Sequence, residues 1–188
     1  MTKKLVILGS TRGTDLQFII DKIEAGELDA KIELVISNRT DAYILERAKN
    51  YNWNTICVES KGKKRTEFDS LVATEIEKYN PDIIILIGFM RILSSEFINK
   101  FTNKIINVHP SLLPKFAGGM DSDVHAEVIA AHETESGCTV HLVTEEVDGG
   151  RILLQKKCKV EPSETPDSLK SKVQQLEGEA LVEVIRNW

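Results

Sequence analysis

Asn107 and His109 stand two apart at the end of the apolar run in "IINVHPSLLPKF". On a strand, residues two apart share a face, so both side chains can aim at one point. The asparagine brings an amide donor, and the histidine brings ring N–H donors when protonated. Two such donors together can hold an oxyanion, which is what attack on a carbonyl carbon requires. A histidine closing a strand also has an ordinary structural use, and the pair alone leaves both readings open. Pro110 and Pro114 restrain the backbone that follows.

Other residues can join this chemistry. Asp148 precedes two glycines in "EEVDGG", where an aspartate is a common turn residue. If it reaches His109, its charge orients the imidazole and raises its pKa. The loop "GSTRGTD" lies between a strand and a helix, where backbone N–H groups bind anions. Gly9 and Gly13 admit close backbone approach there, and Thr14 offers a hydroxyl. Asp15 opposes a phosphate unless its side chain points away, and a plain tight turn is the competing reading. The loop has neither the lysine of a P-loop nor the glycine spacing of a dinucleotide site. In "GFMRIL", Phe89, Met90, Ile92 and Leu93 can line a slot for a flat ring, with Arg91 facing an acidic tail. Core residues beginning a helix explain the same stretch. His125 and His132, seven apart, lack the spacing of a zinc-binding pair and are expected at the surface. No GxSxG elbow is present, and neither Cys138 nor Cys158 has a basic partner placed to activate it. The constellation favours polarising a carbonyl over a covalent enzyme intermediate.

These residues need a frame. Apolar, β-branched runs predict strands over 4–10, 31–38, 54–60, 81–89, 104–109, 137–147 and 151–160. Helical spacing predicts helices over 14–28, 41–52, 66–80, 124–132 and 165–188. Thr14 or Asp15 suits the first N-cap and Asp41 the second, while Thr165 caps the last helix with Pro166 at its first position. The run "PDIIILIGF" is the expected central parallel strand, covered on both faces. Alternating strands and helices predict an α/β fold, with a Rossmann-like, doubly wound, mostly parallel sheet and helices on both faces. Partial alternation over residues 141–147 predicts a more exposed face there.

Composition bounds the partners. The chain has 188 residues, enough for one sizeable domain, and a hydrophobic fraction of 41%. Its 24 basic and 29 acidic residues give a net charge of −5, which disfavours a nucleic-acid or anionic-membrane surface. The 3 cysteines lack metal-site spacing and fit a reducing compartment. No window approaches the ~20 apolar residues of a membrane span. A cytoplasmic protein without a bound metal is expected, as monomer or homodimer.

"GFMRIL", "NVHPSLLPKF", "GCTVHLVTEEVDGG" and "ILLQ", in this order and spacing, resemble the phosphoribosylglycinamide formyltransferases of the folate-dependent formyltransferase family. The resemblance runs from the first strand to the last helix and implies one formyltransferase domain over residues 1–188. It implies transfer of a formyl group from 10-formyltetrahydrofolate to the amine of glycinamide ribonucleotide, in purine biosynthesis. By motif, Asn107, His109 and Asp148 match the catalytic trio, and Gly13, Thr14 and Asp15 match the loop for the substrate phosphate. Arg65, Met90, Arg91, Ile92 and Leu93, with Asn107, match the folate pocket. Gln174 and Glu177 match contacts to the ribonucleotide. Two departures stand out. Asp15 replaces a frequent asparagine, and "GGMDSDVH" replaces a shorter "GLHTH"-like segment, so neither Asp123 nor His125 is carried over. A formyltetrahydrofolate deformylase is the nearest alternative, but it commonly has an extra N-terminal domain, and the first strand is expected at about Lys3. Methionyl-tRNA formyltransferase is disfavoured by the lack of a basic surface. A non-catalytic nucleotide or NADP module, with Arg39 after the second strand, is the alternative from another class.

Overall fold

The computed structural model describes residues 1–119 and 122–188. Its strands are β1 (Lys3–Gly9), β2 (Ala30–Ser37), β3 (Thr55–Cys57), β4 (Ile83–Ile87), β5 (Ile105–His109), β6 (Glu135–Leu142) and β7 (Ile152–Lys159). Its helices are α1 (Thr14–Glu24), α2 (Tyr43–Lys49), α3 (Arg65–Glu77), α4 (Ser95–Lys100), α5 (Ser122–Ala130) and α6 (Pro166–Arg186). The strands form one sheet in the order β3-β2-β1-β4-β5-β6-β7. The first five run parallel, and β6 and β7 are antiparallel additions.

This is the doubly wound sheet expected from the sequence. Successive β1 side chains point to opposite faces. Leu5 and Ile7 join Ile19, Ile20, Leu181 and Ile185 on one side, while Val6 and Leu8 join Phe68, Val72, Ile76 and Phe97 on the other. Both faces are covered, so the strands read as continuous apolar runs. All of β4 is buried at the centre of the sheet. The strand order reverses between β1 and β4, and in such sheets the crevice outside the carboxyl ends at that reversal receives ligands.

Several local expectations need correction. The N-cap of α1 is Gly13, not Thr14 or Asp15, and the N-cap of α2 is Ala42, not Asp41. Asp41 instead forms an exposed ion pair with Arg39, at 2.7 Å. The exposure expected within 141–147 falls on residues 144–147, which lie beyond the strand: β6 is buried after its first residue and ends at Leu142, and the exposed strand is β7. An edge strand has only one sheet neighbour, and β7 takes that position. His125 is buried because α5 packs on α6, while His132 lies beyond the end of α5 and is exposed. The last helix keeps its expected start: Thr165 Oγ1 accepts the Ser168 N–H and Ser168 Oγ accepts the Thr165 N–H, at 3.2 and 3.0 Å. This helix crosses α1 closely, for a Cβ on Gly178 would fall 2.2 Å from Phe18 Cγ.

Candidate active site

The loop after β1 turns sharply at Gly13, which has φ +65°. A side chain there is disfavoured by that backbone and by space, since a Cβ would lie 2.4 Å from Ile44 Cγ1. The turn starts α1 with Thr14 and buried Asp15 on the cavity wall. Ser10, just before it, is buried and ties two loops together. Its hydroxyl accepts the Met90 N–H at 2.9 Å and donates to Asn38 Oδ1 at 2.6 Å.

The loop after β4 supplies the second wall. Phe89, Met90, Arg91, Ile92 and Leu93 all line the cavity, so this stretch is a cavity wall and not the start of a helix. Leu93 is buried, whereas Met90 and Ile92 remain 43% and 59% exposed. The Arg91 guanidinium lies 4.4 Å from the centre of the Phe68 ring, a cation–π contact that braces it. α4 starts only later, capped by Ser94, whose hydroxyl accepts the Phe97 N–H.

The floor is built where β5 meets β6. Asn107 lies opposite His141 and His109 opposite Thr139 in the antiparallel register, so the four side chains share a face. His109 Nε2 donates to the Phe116 carbonyl at 2.9 Å, and His109 Nδ1 lies 3.3 Å from Asp148 Oδ2. His141 repeats this plan. Its Nδ1 donates to the Leu142 carbonyl at 2.9 Å, and its Nε2 lies 3.4 Å from Asp148 Oδ1. The Asn107 amide nitrogen is 3.3 Å from the same His141 Nε2. Asp148 also accepts the Gly118 N–H at 2.8 Å. A carbonyl only accepts, so each ring carries a proton on the nitrogen facing backbone, and its other nitrogen donates to the shared carboxylate only when the ring is doubly protonated.

Asp148 is thus both a turn residue, with φ +54°, and a partner of His109. Asp148 reaches His109 and its charge raises the imidazole pKa as expected, but the net shift runs the other way. Burial pushes the imidazole below its ordinary value, aided by His141, and outweighs the opposing Asp148 charge and Phe116 carbonyl. For Asp148, burial pushes the carboxyl upward. The hydrogen bond with His141, the Gly118 N–H and the charges of both imidazoles outweigh it, and the net shift is downward.

The cavity has a volume of about 480 Å³. It gathers Thr14, Asp15, Met90, Arg91, Ile92, Leu93, Asn107, His109, Asp148, Gln174 and Glu177 from five separate segments. Gly13 lies behind this wall as the cap, and Arg65 opens α3 and does not line the cavity. His141 went unnoticed in the sequence, as did Val143, Glu145, Glu146 and Val147 on the rim. The signal for His141 was its place two residues from Thr139 in "GCTVHL", on the same strand face, but only the register with β5 gives it a partner. The divergent segment 118–123 lies partly outside the described residues. Among the described residues, no group of three or more histidine, cysteine or acidic side chains could hold a metal ion.

A mostly parallel sheet with two loops lining a cavity at its reversal point, over a carboxylate, imidazole and amide floor, defines a site suited to acyl transfer. Residues 3–185 match the formyl transferase family, and the chain belongs to that family. The phosphoribosylglycinamide formyltransferase of Haemophilus influenzae is 38% identical over 98% of this chain and 86% of its own length. The trifunctional purine biosynthetic protein adenosine-3 of Homo sapiens is 39% identical over 90% of this chain and 17% of its own. The solved phosphoribosylglycinamide formyltransferase of Coxiella burnetii aligns with a TM-score of 0.93 at 40% identity, covering 99% of this chain and 86% of that one.

Proposed function

We propose that residues 1–188 act as one formyltransferase domain, passing the formyl group of 10-formyltetrahydrofolate to the amine of glycinamide ribonucleotide. The observation that carries this reading is the convergence of Asn107, His109 and Asp148 on one cavity between the two loops.

The loop at Gly13 and Thr14, with the helix dipole of α1 behind it, takes the phosphate. Gln174 and Glu177 hold the ribonucleotide from α6. The apolar wall of Phe89, Met90, Ile92 and Leu93 takes the pterin ring, and Arg91 faces the acidic tail. Arg65 stands outside this wall, and its part is limited to the tail end of a bound folate.

The substrate amine attacks the formyl carbon, and a C–N bond forms as the C=O pair moves onto oxygen. Asn107 donates to that oxyanion. His109 has Nε2 committed to Phe116, so Nδ1 is its working nitrogen. In the protonated ring Nδ1 also bears a hydrogen, and this N–H, 3.3 Å from Asp148, donates to the oxyanion; the Asp148 charge favours that protonated form. Asp148, held as a carboxylate, receives the proton leaving the attacking nitrogen through a water. When the carbonyl re-forms, the bond to the folate nitrogen breaks, and that nitrogen takes the proton back. The three free cysteines fit a reducing compartment, and we place the protein in the cytoplasm.

The test is consumption of 10-formyltetrahydrofolate with and without glycinamide ribonucleotide. Ribonucleotide-dependent consumption, yielding formylated ribonucleotide, is expected. Consumption without it, releasing formate, would make the protein a hydrolase.

A further inference from the structure

Thr139 and Gln155 are polar residues that the transfer step does not use. Thr139 is fully buried in β6, and Gln155 lies opposite it on β7. A buried hydroxyl is costly unless hydrogen-bonded, and this one has three partners. It donates to the Ser111 carbonyl at 2.7 Å and accepts the Leu113 N–H and the Gln155 side-chain amide at 3.0 and 2.9 Å. Gln155 donates in addition to the Leu113 carbonyl at 2.9 Å. Within the loop, Ser111 Oγ donates to the Lys115 carbonyl at 2.6 Å. All these bonds hold the loop that follows β5.

The far end of that loop touches the proposed centre twice. Its Phe116 carbonyl accepts from His109 Nε2, and its Gly118 N–H donates to Asp148 Oδ2. His109 itself lies opposite Thr139, which lies opposite Gln155, so one polar row crosses three strands. We propose that Thr139 and Gln155 are positioning residues that seat this loop, so that its carbonyl commits His109 Nε2 and leaves Nδ1 for the reaction. Without the brace, the Phe116 carbonyl no longer selects one ring nitrogen, and the imidazole can rotate or exchange its proton site. The inference rests on the proposed role of His109, but the tautomer it concerns exists before any substrate binds.

The experiment compares Thr139→Val, which keeps the volume and loses the hydroxyl, with Thr139→Ser, which keeps the hydroxyl. Nitrogen NMR of the His109 ring in the unliganded protein reads which nitrogen bears the proton. Steady-state kinetics separate kcat from KM. Wild type and Thr139→Ser should show the proton on Nε2, with kcat within about threefold of each other. Thr139→Val should show a mixed tautomer and a kcat lower by about 10²-fold, as small misplacements of catalytic groups cost, with KM for each substrate nearly unchanged. Gln155→Leu, on the half-exposed edge strand, repeats the test if Thr139→Val does not fold. An unchanged tautomer in either folded variant overturns the proposal. So does a kcat loss in Thr139→Ser equal to that in Thr139→Val, since packing alone would then explain it. A wild type without transferase activity strikes the proposed function, while the tautomer measurement still decides the inference.

Discussion

The floor of the cavity and its rim are built on opposite plans. On the floor, His109 and His141 are only 3% and 2% exposed, and each ring is anchored to a backbone carbonyl. On the rim, Ile92 and Val147 are 59% and 51% exposed. The groups proposed to act on the formyl carbon are ordered before substrate arrives, so little ordering is left for the reaction itself. The groups proposed to grip the ring are apolar and wet, and they gain by being covered. Substitutions on the floor should therefore change kcat, and those on the rim should change KM.

The largest effect is expected from removing the oxyanion donors. His109→Ala and Asn107→Ala should each lower turnover by about 10²-fold or more, with the melting transition retained. Near-normal turnover in both variants would end the case for this floor.

Asp148→Asn comes next. It keeps the side-chain size and removes the charge that opposes burial at His109, so the imidazole pKa should fall further. Turnover near neutral pH should drop by about 10²-fold. A proton NMR titration of His109 checks the cause, and an unmoved pKa would disconnect the two residues.

The phosphate loop lies between the two plans. Thr14→Val should weaken ribonucleotide binding by about 1.5–3 kcal/mol, the worth of a hydrogen bond to a charged group. Asp15 is buried on the cavity wall, with Arg91 the single lysine or arginine among the described lining residues. Asp15→Asn should therefore tighten binding, more so at low salt where repulsion is least screened. Dissociation constants at two ionic strengths decide this. Unchanged affinity on Asp15→Asn would mean that its charge faces the protein instead.

On the rim, Ile92→Ala should raise KM for the formyl donor at unchanged kcat, because a partly buried side chain contributes about 1 kcal/mol of apolar contact. A fall in kcat would erase the contrast between rim and floor.

The smallest effect is on stability against pH. The folded His109 has a pKa below its ordinary value of 6.5, so the unfolded chain takes up the proton first. The associated stability is present in full above that value and is lost as pH falls through the lower, folded pKa. Asp148 acts with the same sign below the ordinary value of 3.8. Melting temperature should fall more between pH 7 and pH 5 in wild type than in His109→Asn. Equal falls would place the buried proton equilibrium elsewhere.

Patterns local in the chain were legible from sequence. The strands of the parallel half appear as apolar runs because both sheet faces are covered, and β4 carries this furthest. The start of α6 was readable because a Thr165 cap and Pro166 at the first helical position are local signals. Asn107 and His109 were paired correctly because a strand's two-residue period puts them on one face. The family resemblance, resting on these same segments, brought the acid, amide and imidazole into one hypothesis.

Tertiary structure decided what depends on distant neighbours. Gly13 caps α1 because Ile44, from another helix, fills the space a side chain would need. His125 is buried because α6 covers α5, which its own segment does not announce. His141 joins the floor through the β5–β6 register, and the same register sets Thr139 beneath the loop. The sign of the His109 shift was a contest between a charge, which the sequence displayed, and burial, which only the packed chain creates; burial prevailed.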